Sequence, residues 1–170
     1  MESAYLRHIP QEDIYLFNTG NAKKAWLCFG CRYIPELNAH RFIVWAPNAQ
    51  RVSLVGSFNG WDRDAMPMEK IEGGVWVCFA KGIENGALYK YCVTGANGSK
   101  VYKADPYANR AMPLPETSSV VDPPEKFRWT DAAYRRNKLK QTSLQRPVNI
   151  YEVHAGSWKR HDDGSYLSYE

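Results

Sequence analysis

The chain has 170 residues, of which 44% are hydrophobic, 24% charged and 14% aromatic, with eleven Tyr and six Trp. That length holds one ordinary domain with some chain to spare, and the composition excludes wholesale disorder. The net charge of +4 is spread along the chain and too mild for a polyanion partner, which sets nucleic acid aside, and the apolar runs fall well short of the ~20 residues that cross a bilayer.

Residues 1–39 are mixed in character. The stretches Q-E-D-I-Y-L-F at 11–17 and A-W-L at 25–27 suggest short helices, interrupted by N-T-G-N at 18–21. Cys28 and Cys31 have the spacing of half a zinc site or of a redox dithiol, but no second close Cys or His pair follows to complete four ligands. Cys78 and Cys92 each lie inside a predicted strand and read as small apolar side chains. Four reduced thiols in a cytoplasmic protein, with no metal and no cofactor, are the expectation.

From His40 the pattern changes to short strands at 41–46, 51–58, 74–80, 88–94 and 100–104, each stopped by a turn signal such as P-N, N-G or D-P. Closely spaced strands of this kind predict a mainly β fold, an antiparallel β-sandwich of immunoglobulin-like size over residues 40–108. Side chains alternate along a strand, so Tyr89, Tyr91 and Val93 form the core face of 88–94 and Lys90 faces water. Val52, Leu54 and Gly56 share a core face in their strand. Val75, Val77 and Phe79 form one face of theirs, opposite Trp76 and Cys78.

Prolines at 106, 113, 115, 123 and 124 then predict an extended connector over 109–147, ending in a short helix near 131–139. The basic run R-R-N-K-L-K at 135–140 reads as that helix's solvated face and last turn. After Pro147, V-N-I-Y-E-V-H at 148–154 has the β-branched and aromatic content of a buried strand.

Trp61 stands apart from this pattern. It lies beyond the end of its strand in G-S-F-N-G-W-D (56–62), among Asn59, Asp62, Arg63 and Asp64. One reading folds the ring back as a lid on the sandwich. The other leaves its flat face open, where the apolar C–H face of a pyranose docks while neighbouring Lys, Asn and Asp bind the hydroxyls.

The run R-F-I-V-W-A-P-N-A-Q-R-V-S-L-V-G-S-F-N-G-W-D at 41–62, with L-Y-K-Y at 88–91 and D-P-Y-A at 105–108, resembles the family-48 carbohydrate-binding module. That module precedes the catalytic barrel in α-amylase-superfamily enzymes acting on branched glucans, and it also occurs in glycogen-targeting subunits of protein kinases. P-E-T-S-S-V-V at 115–121 and I-Y-E-V-H-A-G-S-W-K-R at 150–160 are similar to the bacterial glycogen branching enzymes, with 148–170 corresponding to the first strand and loop of the barrel. Debranching enzymes and trehalohydrolases share only the Y-E-x-H core of the latter, and a non-catalytic targeting module has no reason to continue into it.

The resemblance implies that Trp61 is the main sugar-stacking ring and that Lys90 hydrogen-bonds glucan hydroxyls. The second stacking Trp of the kinase-type modules has no counterpart in the turn after the Lys90 strand, where Asn97 is a candidate polar contact. Implied partners are α-1,4-glucan, glycogen and maltooligosaccharides. The family's transfer of a glucan chain to a 6-hydroxyl proceeds through a covalent glucosyl-enzyme on two carboxylates. A complete barrel takes about 250 residues, so no catalytic residue is assigned; Glu152, Asp162 and Asp163 are near the barrel start only by position. This chain alone is expected to be inactive, and an unpaired strand near Ile150 is expected to favour self-association.

Overall fold

A computed structural model describes residues 3–123, 128–141, 147 and 149–167. The chain divides into two units, Met1–Glu125 and Lys126–Glu170.

In the first unit, the N-terminal segment forms helices α1 (Ser3–Leu6) and α2 (Gln11–Asn18) and 3-10 turns at Ala25–Leu27 and Pro35–Leu37. Glu12 and Asp13 sit in the first turn of α2, where the helix dipole favours negative charge. The strands are β1 (Gly30–Ile34), β2 (Ala39–Trp45), β3 (Arg51–Gly56), β4 (Glu69–Ile71), β5 (Val75–Lys81), β6 (Leu88–Thr94), β7 (Lys100–Lys103), β8 (Arg110–Ala111) and β9 (Ser119–Val120). All pairings are antiparallel. The first sheet runs β1-β2-β5-β4. The second runs β3-β6-β9-β8, with β7 and β9 following one another along the same edge of β6.

The inner faces of the two sheets meet in the main core. Phe42, Val44, Trp76 and Ala80 from the first sheet pack with Val52, Leu54, Tyr89 and Tyr91 from the second. The alternation expected for β3 and β6 is therefore observed. In β5 both faces are apolar because both are covered: Trp76 and Cys78 look into the sandwich, while Val75, Val77 and Phe79 join Ile43 beneath Ile9, Ile14, Cys28 and Phe29 of the N-terminal segment. The guanidinium of Arg41, itself buried, straps that segment down by donating to the carbonyls of His8 (2.7 Å) and Cys28 (3.0 Å). All four cysteines are free thiols.

Three sequence expectations change. The segment 1–39 contributes β1, so the sandwich begins before His40; the register Cys31↔Phe42 places the Cys31 side chain in the core, which alternation alone does not reveal in so short a run. The proline-rich stretch 109–123 is more than a connector. Ser119 and Val120 pair with Tyr89 and Leu88, and Arg110 and Ala111 extend the sheet, because two-residue bridges fit between prolines whose missing N–H groups fall outside them. Residues 149–154 form no strand. Val148, the first residue of the expected run, lies outside the described residues. Strand geometry is sustained by ladder hydrogen bonds from neighbours, and the described residues supply none there.

The second unit contains α3 (Ala132–Gln141) and α4 (Ala155–Trp158), the former matching the predicted helix. Tyr151 meets Trp158 edge-on at 5.5 Å, and the Arg160 guanidinium lies 4.1 Å from the Tyr166 ring centre in a small turn closed by an Arg160↔Tyr166 bridge.

Candidate functional site

The loop that carries Trp61 begins at Gly56, the last residue of β3, which pairs with Tyr89 of β6. A side-chain carbon on Gly56 would collide with the Leu88 carbonyl oxygen and the Phe58 ring, so only glycine fits. Asn59 then fastens the loop to the strand: its side-chain oxygen accepts from the Gly56 N–H (2.9 Å) and its amide donates to the Leu54 carbonyl (3.1 Å). Gly60 and Trp61 both take the left-handed conformation, at φ 61°, and the Trp61 N–H donates back to the Gly56 carbonyl at 2.9 Å. For a tryptophan that conformation costs roughly 1–2 kcal/mol, which the surrounding hydrogen bonds must offset.

The loop then crosses the outer face of the second sheet. Ser53, Val55 and Cys92 point away from the sandwich interior, yet all three are buried. Arg63 and Asp64 line a small hollow with Ser53 and Cys92, and Asp64 closes on Arg51 at 2.9 Å. Trp61, at the start of this stretch, is 36% exposed, while Phe58 supplies a ring that packs against the core.

Lys90 stands on the same outer face, opposite Val55 in the β3–β6 register and one position from the Gly56↔Tyr89 pair. Its ammonium donates to the Thr117 hydroxyl at 2.7 Å. Thr117 was not singled out by sequence reasoning; its signal was the P-E-T-S-S-V-V run, whose last residues enter β9 beside β6. Asn97 is placed differently. It lies in the turn beyond Thr94, at the Arg51 end of β6, about 13 Å along the strand from the level of Lys90. Its side-chain oxygen accepts from the Ser99 N–H (3.0 Å) and hydroxyl (2.6 Å), a self-contained Asx turn. The structure thus sets Lys90 and Thr117 at the Gly56 end of the sheet, where the loop carrying Trp61 begins, and leaves Asn97 at the other.

A buried carboxylate stiffens the sheet beneath. Asp105 accepts from the hydroxyls of Tyr89 (2.6 Å) and Tyr91 (3.2 Å) and from the Tyr107 N–H (2.8 Å), while its own N–H donates to the Ser119 hydroxyl (2.8 Å). Burial pushes its carboxyl above the ordinary carboxylate value, against the hydrogen bonds, which favour the charged form. Burial, reinforced by that carboxylate, also pushes both tyrosine hydroxyls far upward, so they remain donors. This network locks the rows that carry Lys90 to the strand 119–120.

No group of three or more His, Cys, Asp or Glu side chains among the described residues is arranged to hold a metal ion, and no described helix is long and apolar enough to cross a membrane. Asp163 accepts from the Ser165 N–H (2.9 Å) and hydroxyl (2.6 Å), and those bonds hold its carboxyl below the usual value. It is a turn residue. Glu152 is exposed. A hollow of about 450 Å³ between α2 and residues 71–73 lies away from Trp61 and is walled largely by Leu6, Ile9, Ile14, Tyr15 and Ile71.

The family described as carbohydrate-binding module 48 (isoamylase N-terminal domain) matches residues 28–108. The 1,4-alpha-glucan branching enzyme GlgB of Burkholderia thailandensis is 42% identical over 161 residues, covering 93% of this chain and 19% of that protein. The enzyme of the same name from Nitrosomonas eutropha is 39% identical over 171 residues, covering 98% of this chain and 23% of its own. The chain spans about a fifth to a quarter of the length of the curated relatives it matches. Among solved structures, a pullulanase from Bacillus acidopullulyticus aligns with 55% of this chain and 11% of its own at 30% identity, with a TM-score of 0.46.

Proposed function

We propose, for a chain that belongs to the glycogen branching enzyme family through its N-terminal region and carries a carbohydrate-binding module 48, that the Trp61 face of the sandwich binds α-1,4-glucan. In this reading the indole takes the apolar face of one glucose ring. The Lys90 ammonium has three donors; one is used on Thr117, which fixes its direction, and the others meet sugar hydroxyls. The observation that carries the reading is Trp61 itself. A large aromatic is held 36% exposed in a left-handed conformation by a loop whose glycine and asparagine serve that geometry.

The parent reaction is cleavage of an α-1,4 bond and transfer of the released chain to a 6-hydroxyl, making the α-1,6 branches of glycogen. Such a step needs a nucleophilic carboxylate and a carboxylic acid held about 5 Å apart across the scissile bond. The role proposed for this region is to hold glycogen or a maltooligosaccharide near that site, in the cytoplasm, where free thiols such as these persist. A targeting module with no enzyme attached is disfavoured because the similarity to branching enzymes continues well past residue 108.

Titration of maltoheptaose into the wild-type chain and into Trp61→Ala tests the proposal. Binding that weakens at least ~5-fold on loss of the ring is expected; equal affinities would make the sandwich a spacer. The chain alone should form no α-1,6 linkages from amylose, and their appearance would overturn the reading of these residues as glucan-binding without a catalytic pair of their own.

A further inference from the structure

We infer that the glucan surface has a second aromatic contact, the ring of Tyr102, tied to the Trp61 loop through Arg63. The inference rests on the glucan-binding reading above and extends it along the sheet. Tyr102 lies on β7 opposite Cys92, and Cys92 is two residues from Lys90 on β6, so Tyr102 and Lys90 share the outer face. The Tyr102 ring is 44% exposed. The Arg63 guanidinium sits 5.9 Å from its centre.

Arg63 is two residues past Trp61. The backbone between the two positions is therefore about 7 Å at most, and the Arg63 side chain bridges from it to within 5.9 Å of the Tyr102 ring centre. Charge pairing in the loop explains why Arg63 is available: the adjacent Asp64 binds Arg51 at 2.9 Å on the other side of the roof, and Arg63 turns to the tyrosine. The guanidinium presents N–H donors beside the exposed part of the ring, where a sugar's apolar face can lie. The pairing sets a flat aromatic ring beside a cation, a combination suited to a sugar's apolar face and its hydroxyls. Tyr102 is on β7, the strand that follows the β6–β7 turn carrying Asn97.

Two contacts along one face predict a dependence on chain length. Maltotriose and maltoheptaose are titrated into wild type, Trp61→Ala and Tyr102→Leu, with Arg63→Gln as a second route to the same contact. Leucine keeps an apolar cover over Cys92 but removes the flat ring, and the thermal midpoint of each variant is recorded. Expected results are tighter binding of maltoheptaose than of maltotriose by wild type, and a loss of about 5-fold for maltoheptaose alone in Tyr102→Leu. Trp61→Ala should weaken both sugars. Unchanged maltoheptaose affinity in Tyr102→Leu and Arg63→Gln overturns the second contact while leaving Trp61 intact, as does an equal loss on both sugars. Failure of wild type to bind either sugar overturns the glucan reading and this inference together.

Discussion

Replacing Asp105 by alanine should be the most damaging single change to the sandwich, and the structure gives the size. The side chain is 6% exposed and accepts three hydrogen bonds, two of them from tyrosines that are fully buried. Its loss orphans two hydroxyls and one backbone N–H, each costing about 1–3 kcal/mol, partly offset because a carboxylate no longer has to be buried. A net loss of about 3 kcal/mol follows, or a fall of about 10 °C in Tm for a unit of this size. Tyr89→Phe with Tyr91→Phe removes the same donors, so Asp105→Ala should cost clearly less in that background. Chemical denaturation of the four proteins measures the cycle. A cost below about 1 kcal/mol, or an identical cost in both backgrounds, would refute the hub. The same group sets a pH dependence. Because burial raises the native value above the ordinary 3.8, the folded chain holds this proton more tightly than the unfolded chain; its contribution to stability is full below that pH and is lost as pH rises through the native value. The stability of wild type relative to Asp105→Asn should therefore decline with rising pH in that window, and a rise would contradict the assignment.

The remaining predictions are smaller in scope. At φ 61° glycine escapes a left-handed cost of roughly 1–2 kcal/mol and gives back about half of it through its looser unfolded chain, so Trp61→Gly should be more stable than Trp61→Ala by about 0.5–1 kcal/mol; the reverse order in thermal melts would remove the strain argument. Gly56→Ala drives a carbon into the Leu88 carbonyl and the Phe58 ring and should cost about 1–3 kcal/mol, read as a lower denaturant midpoint, with unchanged stability counting against the tight approach of β3 to β6. Burial lifts the thiols of Cys28 and Cys78 to about 11 and that of Cys31 to about 12, so at pH 8 these three should resist alkylation in the native chain and react fully in denaturant; rapid native labelling, read by mass spectrometry, would show the burial to be wrong.

The sequence was most legible where alternation and turn residues agree. β2, β3, β5, β6 and β7 fall within one or two residues of expectation, apart from the end of β3, where 57–59 tighten into a 3-10 turn. The outward face of Lys90 followed from period two alone. What escaped notice depends on partners distant in the chain. β4, β8 and β9 have two or three residues each and exist only through the strands they meet. The apolar N-terminal positions made sense only once Ile43, Val75 and Val77 were seen to need a cover on the far side of their sheet. At the site, the loop position of Trp61 could be read, but its left-handed backbone could not, since tryptophan is an unfavourable choice there. Thr117 was hidden for a similar reason: its importance comes from the Lys90 ammonium, 27 residues away in the chain. The run at 148–154 misled because β-branched composition signals strand only where neighbours complete the ladder.

One measurement tests the central claim directly. With the chain labelled by ¹⁵N on its six tryptophans, maltoheptaose is added to saturation while each indole N–H resonance is followed and assigned by single substitution. The account predicts that the Trp61 resonance moves, with a concentration dependence matching the titrated affinity, while those of the core-packed Trp76 and the remote Trp26 stay in place. A saturable shift at other indoles with Trp61 unmoved would contradict it.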